Sequence, residues 1–423
     1  MSGEGTVHVV GAGLAGLGAA VALIKAGRRV VVHEAAGHAG GRCRSFDDAT
    51  LGRRIDNGNH LILSGNRSAR GFLDDIGAAD QVSGPREAVF PFMDLRTGAA
   101  WRVAVGRGRL PLWMFKAENR PPATGSWDML RGLGLLRASA DQTVAQCLGS
   151  SRAFPTFWEP LALAVLNTAA EEGAAQLLGR VMAETVGHGR RACRPLIART
   201  GLGDAFVSPA VNHLRSHGAE VRFKARLRSI DFDERGVTGL AFGDARVGLA
   251  SGDCVVLAVP PWVAIDLVPG LVAPTDHRPI VNAHFRLPAG AVAVPFLGLV
   301  GGTSQWLFVR DDFASVTISA AVREVEEDAE YLARRMWPEV AAATGMPVDF
   351  QDNPPPHRIV KEKRATFAQT PEQVRRRPPA RTRWQNLFLA GDWVDNGLPA
   401  TIEGSLRSGS LAARYADIPQ GRP

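Results

Sequence analysis

No stretch of this sequence approaches the ~18 consecutive apolar residues that a membrane-crossing helix requires, so none is expected. Cysteine is scarce too. Cys43, Cys147, Cys193 and Cys254 stand apart without a CxxC pair, which fits a reducing cytoplasm better than a disulfide scaffold or a thiolate metal site. A secretion signal is not apparent: the first apolar stretch has no basic segment before it, and three glycines at motif spacing interrupt it. A cytoplasmic location is therefore expected. Basic residues are in excess, with a net charge of +7, but they do not cluster beyond Arg375-Arg376-Arg377. No zinc-finger or RNA-binding signature accompanies them, so nucleic acid is not an expected partner. An anionic membrane surface ranks first as a use for this charge, ahead of a simply soluble basic surface. No internal repeat occurs.

What is present is globular. The 423 residues are 45% hydrophobic and 22% charged, which suits two or three domains. The strongest signal lies near the start. Thr6 to Val10 (TVHVV) reads as a strand that ends in GAGLAG, and LGAAVALIKAG follows as a helix closed by Gly27. RRVVVHE then supplies a second strand ending at Glu34, 18 positions beyond Gly16. Gly11 permits a tight turn, Gly13 lets backbone approach a pyrophosphate, and Gly16 lets helix and strand pack closely. Ala15 lies inside the same loop, at a helix N-terminus that offers free N–H groups to phosphate. Glu34 suits the hydroxyls of a ribose. Strand, glycine turn, helix, strand and acid in this order indicate a dinucleotide and an α/β, Rossmann-like fold.

The segments that follow narrow the choice. AAGHAGGRCRS places Gly40, Gly41 and the guanidinium fork of Arg42 beside the same pyrophosphate. This arrangement resembles the FAD site of the flavin-dependent amine oxidase and carotenoid desaturase superfamily. Near the other end, NLFLAGDWVDNGLPATIEGSLRSG reads as a strand to Asp392, a loop, and a helix from about Thr401. The resemblance implies that Gly391 and Asp392 meet the ribityl chain of FAD. It implies too that Thr401, Ile402 and Glu403 present a helix N-terminus to the flavin pyrimidine, where reduced flavin carries negative charge. In the middle, GAEVRFKARLRSIDFDERGVTGLAF reads as strands with a turn at DERG, and the resemblance implies that Leu227 takes the position that reaches adenine. GDCVVLAVPP is a further buried strand.

The stretch IDNGNHLILSGN poses a question, because Asn57-Gly58 is a strong hairpin-turn signal. In the resembled folds the segment after GGR returns along the isoalloxazine ring. Asn57, Gly58, Asn59 and His60 are accordingly expected at the flavin, with Gly58 allowing close approach. Together with FWEPLALAVLNT and EKRATFAQTPE, these motifs resemble the hydroxysqualene dehydroxylase family, also called squalene-associated FAD-dependent desaturases, from Val7 to about Ala413. Val394, Asn396, Ser405 and the AAEEGA stretch depart from that pattern.

The resemblance implies an FAD-binding domain of the glutathione-reductase-like type made of residues 1–80, 187–278 and 354–423. An interleaved α+β substrate domain would comprise residues 81–186 and 279–353. It implies reductive removal of the hydroxyl of hydroxysqualene, an isoprenoid lipid, in squalene and hopanoid synthesis, with hydride passing from reduced FAD to an allylic cation. His60 is the first candidate for acid or hydrogen-bond donor, with Asn57 and Asn59 orienting. Glu159, in apolar surroundings, is the second. A carotenoid desaturase, an amine oxidase and a non-enzymatic prenyl-lipid escort remain as alternatives. GRLPLWMF and MLRGLGLL are apolar stretches that could dip into a bilayer.

Overall fold

The computed structural model describes residues 5–108, 110–243, 245–287, 295–347 and 353–418. Arg109 of the GRLPLWMF stretch, and residues 288–294 and 348–352 of the expected substrate domain, lie outside the described residues.

Strands Val7–Val10, Val30–His33 and Cys254–Leu257 bury every side chain. A strand covered on both faces loses alternation and becomes a continuous apolar run, which is what VHVV, VVVH and CVVL are. These strands form the middle of a five-stranded parallel sheet. Glu220–Arg222 flanks Val30–His33, and Leu387–Leu389 flanks Cys254–Leu257. Helix Leu14–Lys25 connects the first two strands and packs along helix Ile402–Asp417. The last strand is shorter than NLFLAGD suggested. Beyond Leu389, the Ala390 amide still reaches Leu257 O, but the Gly391 amide donates to Ser408 Oγ at 3.0 Å instead. Strands Ser229–Phe232, Val237–Phe242 and Ala245–Gly248 form a small antiparallel sheet. Its first turn is closed by Asp233, whose carboxylate accepts from the Arg235 and Gly236 amides.

A second body of structure is a seven-stranded sheet. Its order is His357–Phe367, His277–Arg286, Phe313–Ser319, Trp306–Arg310, Leu297–Val300, Val89–Asp94 and Ala100–Ala104. Helix Ala329–Ala343 packs on it through Leu332, Met336 and Trp337. A layer of short helices between 112 and 193 closes on a separate core around Trp158, Leu166 and Leu178. His357–Phe367 pairs with His277–Arg286, so residues 357–367 extend the seven-stranded sheet and not the parallel one. HRIVKEKRATF is an edge strand, and the charges an edge tolerates hid its partnership.

Asn57-Gly58 is not a hairpin tip. Arg53–Asp56 pairs back with Ser45–Asp48, whereas Ile62–Leu63 pairs with Pro195–Ala198. The intervening residues cross from one small sheet to the other.

Candidate functional site

A cavity of about 780 Å³ opens at the carboxyl ends of the parallel strands, where ligands bind in open α/β sheets. Its other wall is the seven-stranded sheet, through Ile280, Asn282, Thr317 and Glu362. Two helices begin at this cavity. Leu14–Lys25 starts after Gly13 with no side-chain cap, and Leu14 and Ala15 line the cavity. Ile402–Asp417 starts at Thr401, whose hydroxyl accepts from the Gly404 amide at 3.1 Å, and Thr401 and Ile402 line the cavity. Both helix starts direct positive dipole ends there.

The glycines divide the work. Gly11 turns the chain at φ 105°. A Cβ on Gly13 would meet nothing within 4 Å, so its backbone faces open space. Gly16 does not line the cavity; a Cβ there would lie 1.8 Å from Gly11 O. Glu34 accepts from the Ala12 amide at 2.7 Å and the Ala36 amide at 2.8 Å, which fixes its carboxylate at the cavity wall. The Gly40 amide donates to Ala12 O, bringing Gly40 and Gly41 alongside the glycine turn. Leu227 is buried in the same wall. An open glycine cradle, an uncapped helix and an acid at the second strand's end fit the pyrophosphate and ribose of a dinucleotide.

Arg42 bridges two of these segments. It donates to Asp392 at 2.7 Å and to Ala365 O at 2.5 Å. Burial opposes its charge, but the Asp392 carboxylate and Glu362 outweigh this and raise its pKa. Gly391 and Asp392 line the cavity as expected from NLFLAGD. Glu403 does not. Its carboxylate is buried and accepts from the Ser68 and Ala69 amides at 3.1 and 2.9 Å, capping helix Arg67–Asp75. Arg407 pairs with it at 3.2 Å. Glu403 lies on the helix face turned toward helix Arg67–Asp75, whereas Thr401, Ile402 and Ser405 reach the cavity.

The far end of the cavity is polar. Asn59 Nδ2 donates to Thr317 Oγ1 at 3.1 Å, Thr317 donates to Asn282 at 2.7 Å, and Asn282 donates to Asn57 O at 3.2 Å. Asn57 Nδ2 donates to Glu362 at 3.3 Å. Gly58 sits over Asn282, where a Cβ would come within 3.2 Å of Nδ2. His60 faces the cavity and has no hydrogen-bond partner among the described residues. Its ring is solvent-accessible through the cavity, although protein atoms surround it. Burial among protein atoms, with the positive charge of Arg42, lowers its pKa to about 4. The imidazole is therefore neutral near pH 7, with one N–H to donate, and is not a reservoir of imidazolium.

Glu159 stands apart. It opens helix Glu159–Leu166, is half-buried, and does not line the cavity. Burial and then Glu171 raise its pKa, but it does not share the cavity with the polar cluster. Asn282, Thr317 and Glu362 were not singled out from sequence. An asparagine inside the apolar strand HRPIVNAHFR was the available signal, since a buried amide needs partners. Arg377 was also missed: the basic run ends in a buried guanidinium that donates to the carbonyls of Asp392, Val394 and Leu398. Of the departures, Ser405 lines the cavity, whereas Val394 and Asn396 do not.

Comparison with known proteins agrees with this geometry. The family model described as flavin containing amine oxidoreductase matches residues 14–416. A hydroxysqualene dehydroxylase from Sinorhizobium fredii is 46% identical over 411 residues, covering 97% of this chain and 98% of the relative. The hydroxysqualene dehydroxylase of Rhodopseudomonas palustris is 47% identical, covering 96% and 97%. Among solved structures, a putrescine oxidase superposes with a TM-score of 0.69 at 18% identity, covering 97% and 98% of the two chains, which speaks to the fold alone. The chain belongs to the flavin-containing amine oxidoreductase family, among the hydroxysqualene dehydroxylases, and is an FAD-dependent oxidoreductase.

Proposed function

We propose that this enzyme removes the hydroxyl of hydroxysqualene reductively, giving squalene and water, and so supplies squalene to hopanoid synthesis. The observation that carries the reading is the near-full-length identity to enzymes of that name. When bound, reduced FAD supplies the hydride. The parallel sheet and its helices hold FAD: Gly11, Gly13 and Ala15 at the pyrophosphate with Gly40, Gly41 and Arg42, Glu34 at the ribose, and Leu227 at adenine. Gly391 and Asp392 serve the ribityl chain, and Thr401 and Ile402 the pyrimidine. The seven-stranded sheet and the helical layer form the substrate domain, which takes strand His357–Phe367 with it.

The departing oxygen leaves an allylic carbon, so the cation left behind is delocalised and must be kept from water. Ile280, two positions before Asn282 on the same strand and also in the cavity wall, is the apolar side chain beside the polar cluster that keeps water away. The Asn57, Asn59, Asn282 and Thr317 cluster fixes the loop that carries Gly58 and His60. His60, neutral, holds the hydroxyl oxygen by a hydrogen bond from its ring N–H as the bond to carbon lengthens, and the proton that completes the departing water comes from the medium, not from the ring. The enzyme works in contact with the membrane in which its lipid substrate resides. Intact Gly40, Gly41, Arg42 and Asp392 disfavour the escort alternative. Purified enzyme supplied with a chemical reductant should convert hydroxysqualene to squalene. No squalene from FAD-replete protein would refute the assignment.

A further inference from the structure

Of the ten large hydrophobic side chains exposed among the described residues, six lie between 110 and 136. They are Leu110, Leu112, Phe115, Trp127, Leu133 and Leu136, with Trp127 80% exposed. Their neighbours turn inward: Trp113, Met114, Met129 and Leu135 are buried in the helical core. Segments Leu112–Phe115, Ser126–Leu130 and Arg131–Arg137 adjoin one another. The layer thus has a packed inner side and an apolar outer side that no other described part of the fold covers. Apolar side chains clustered in this way mark an interaction surface.

Next to it is a second cavity, of about 710 Å³, lined by Arg67, Arg70, Arg107, Arg190 and Arg191 against a single acid, Glu184. Glu184 is already held through both oxygens by Arg407, at 2.9 and 2.5 Å. The guanidinium groups of Arg107 and Arg191 make no hydrogen bond or ion pair among the described residues, and Arg67 only faces Glu184 at longer range. Arg107 and Gly108 line this cavity, and the chain continues from them to Leu110 and Leu112. The Arg190 amide donates to Gly106 O at 2.8 Å, which pins the cavity to the start of the apolar segment.

We propose that these two features are one docking face for an anionic bilayer. The apolar side chains enter the acyl boundary, and the arginine-lined cavity takes the phosphate of an anionic lipid headgroup. Planar guanidiniums suit phosphate oxygens two at a time, and apolar insertion with cationic attraction is how an interfacial protein binds without spanning. A second copy of the chain suits the surface poorly, since self-pairing would bring two arginine cavities together. This face would make the proposed membrane contact, and it rests on that reading for its purpose, not for its geometry.

Flotation of FAD-loaded enzyme with phosphatidylcholine vesicles, with or without phosphatidylglycerol, tests it. Wild type should bind the mixed vesicles preferentially. The Arg107→Gln/Arg191→Gln pair should weaken that binding by roughly ten- to thirty-fold, leaving the residual affinity for neutral vesicles unchanged. Leu112→Ser/Trp127→Ser should abolish binding to both. All variants should keep bound FAD and turn over hydroxysqualene in detergent as wild type does. Absent wild-type binding, binding unchanged in both pairs, displacement by inorganic phosphate beyond that by chloride of equal ionic strength, or a dimer dissociated by Trp127→Ser would each overturn the docking face. Failure of wild type to act on hydroxysqualene in detergent, with vesicle binding intact, would refute the substrate reading and spare the surface.

Discussion

Gly13 and Gly16 lie three positions apart and meet opposite surroundings. A methyl on Gly13 would enter open cavity, whereas one on Gly16 would collide with Gly11 O. Gly13→Val should therefore fold and lose FAD by at least about tenfold in affinity, while Gly16→Val should not yield folded protein. Equilibrium dialysis and circular dichroism separate the two; equal FAD affinity in Gly13→Val would remove the phosphate from that cradle. Asp392→Ala should also weaken FAD retention, because Arg42 then loses its ion pair. Glu403→Gln should behave differently. Its carboxylate caps a helix, so stability should fall by about 1–2 kcal/mol with FAD occupancy unchanged, as thermal melts and absorbance would report. His60→Ala should slow reoxidation of the reduced flavin by substrate without releasing FAD. Since the ring is already neutral, the wild-type rate should show no step near pH 6.5 attributable to it. Loss of FAD in this variant would make His60 structural.

The strands most legible in the sequence were those buried on both faces, because burial alone decides their residues, while the turn at DERG marked the partly exposed strands on either side of it. VHVV, VVVH and CVVL could be little else. The glycine turn was legible because its backbone demands are strict. The sheet partnership of His357–Phe367 was not legible, because an edge strand with Arg358, Lys361, Lys363 and Arg364 carries no apolar alternation. Asn57-Gly58 illustrates the limit of a local signal. The dipeptide permits a hairpin, but Asp56 is drawn to Ser45, the Leu202 amide and Arg310, and the chain is carried on to a different sheet. Asn282 and Thr317, nearly 260 residues away from Asn59 in the case of Thr317, complete the polar cluster only through that crossing. No spacing rule connects them. Glu159 looked catalytic from its apolar context, yet helix Glu159–Leu166 sets it outside the cavity.

At the scale of the whole molecule, several histidines are folded in as neutral groups. Burial and the neighbouring His8 lower His33 to about 3, and burial lowers His284 to about 4. The unfolded chain takes up these protons from about pH 6.5 downward while the folded chain does not, so stability is lost as pH falls. Asp56, raised by burial, opposes this in part. The melting temperature should drop between about pH 7 and pH 4.5; a flat profile would show that these rings titrate normally. Function at this scale is a matter of electron direction. The fold is shared with a putrescine oxidase, whereas the proposed dehydroxylation must discharge reduced flavin into the lipid. Photoreduced enzyme mixed anaerobically with hydroxysqualene tests this most directly. The oxidised flavin spectrum should return, with squalene formed in equal amount. If the reduced spectrum persists, while oxidised enzyme is bleached by squalene or phytoene, the reaction runs as a desaturation and the proposed dehydroxylation is wrong.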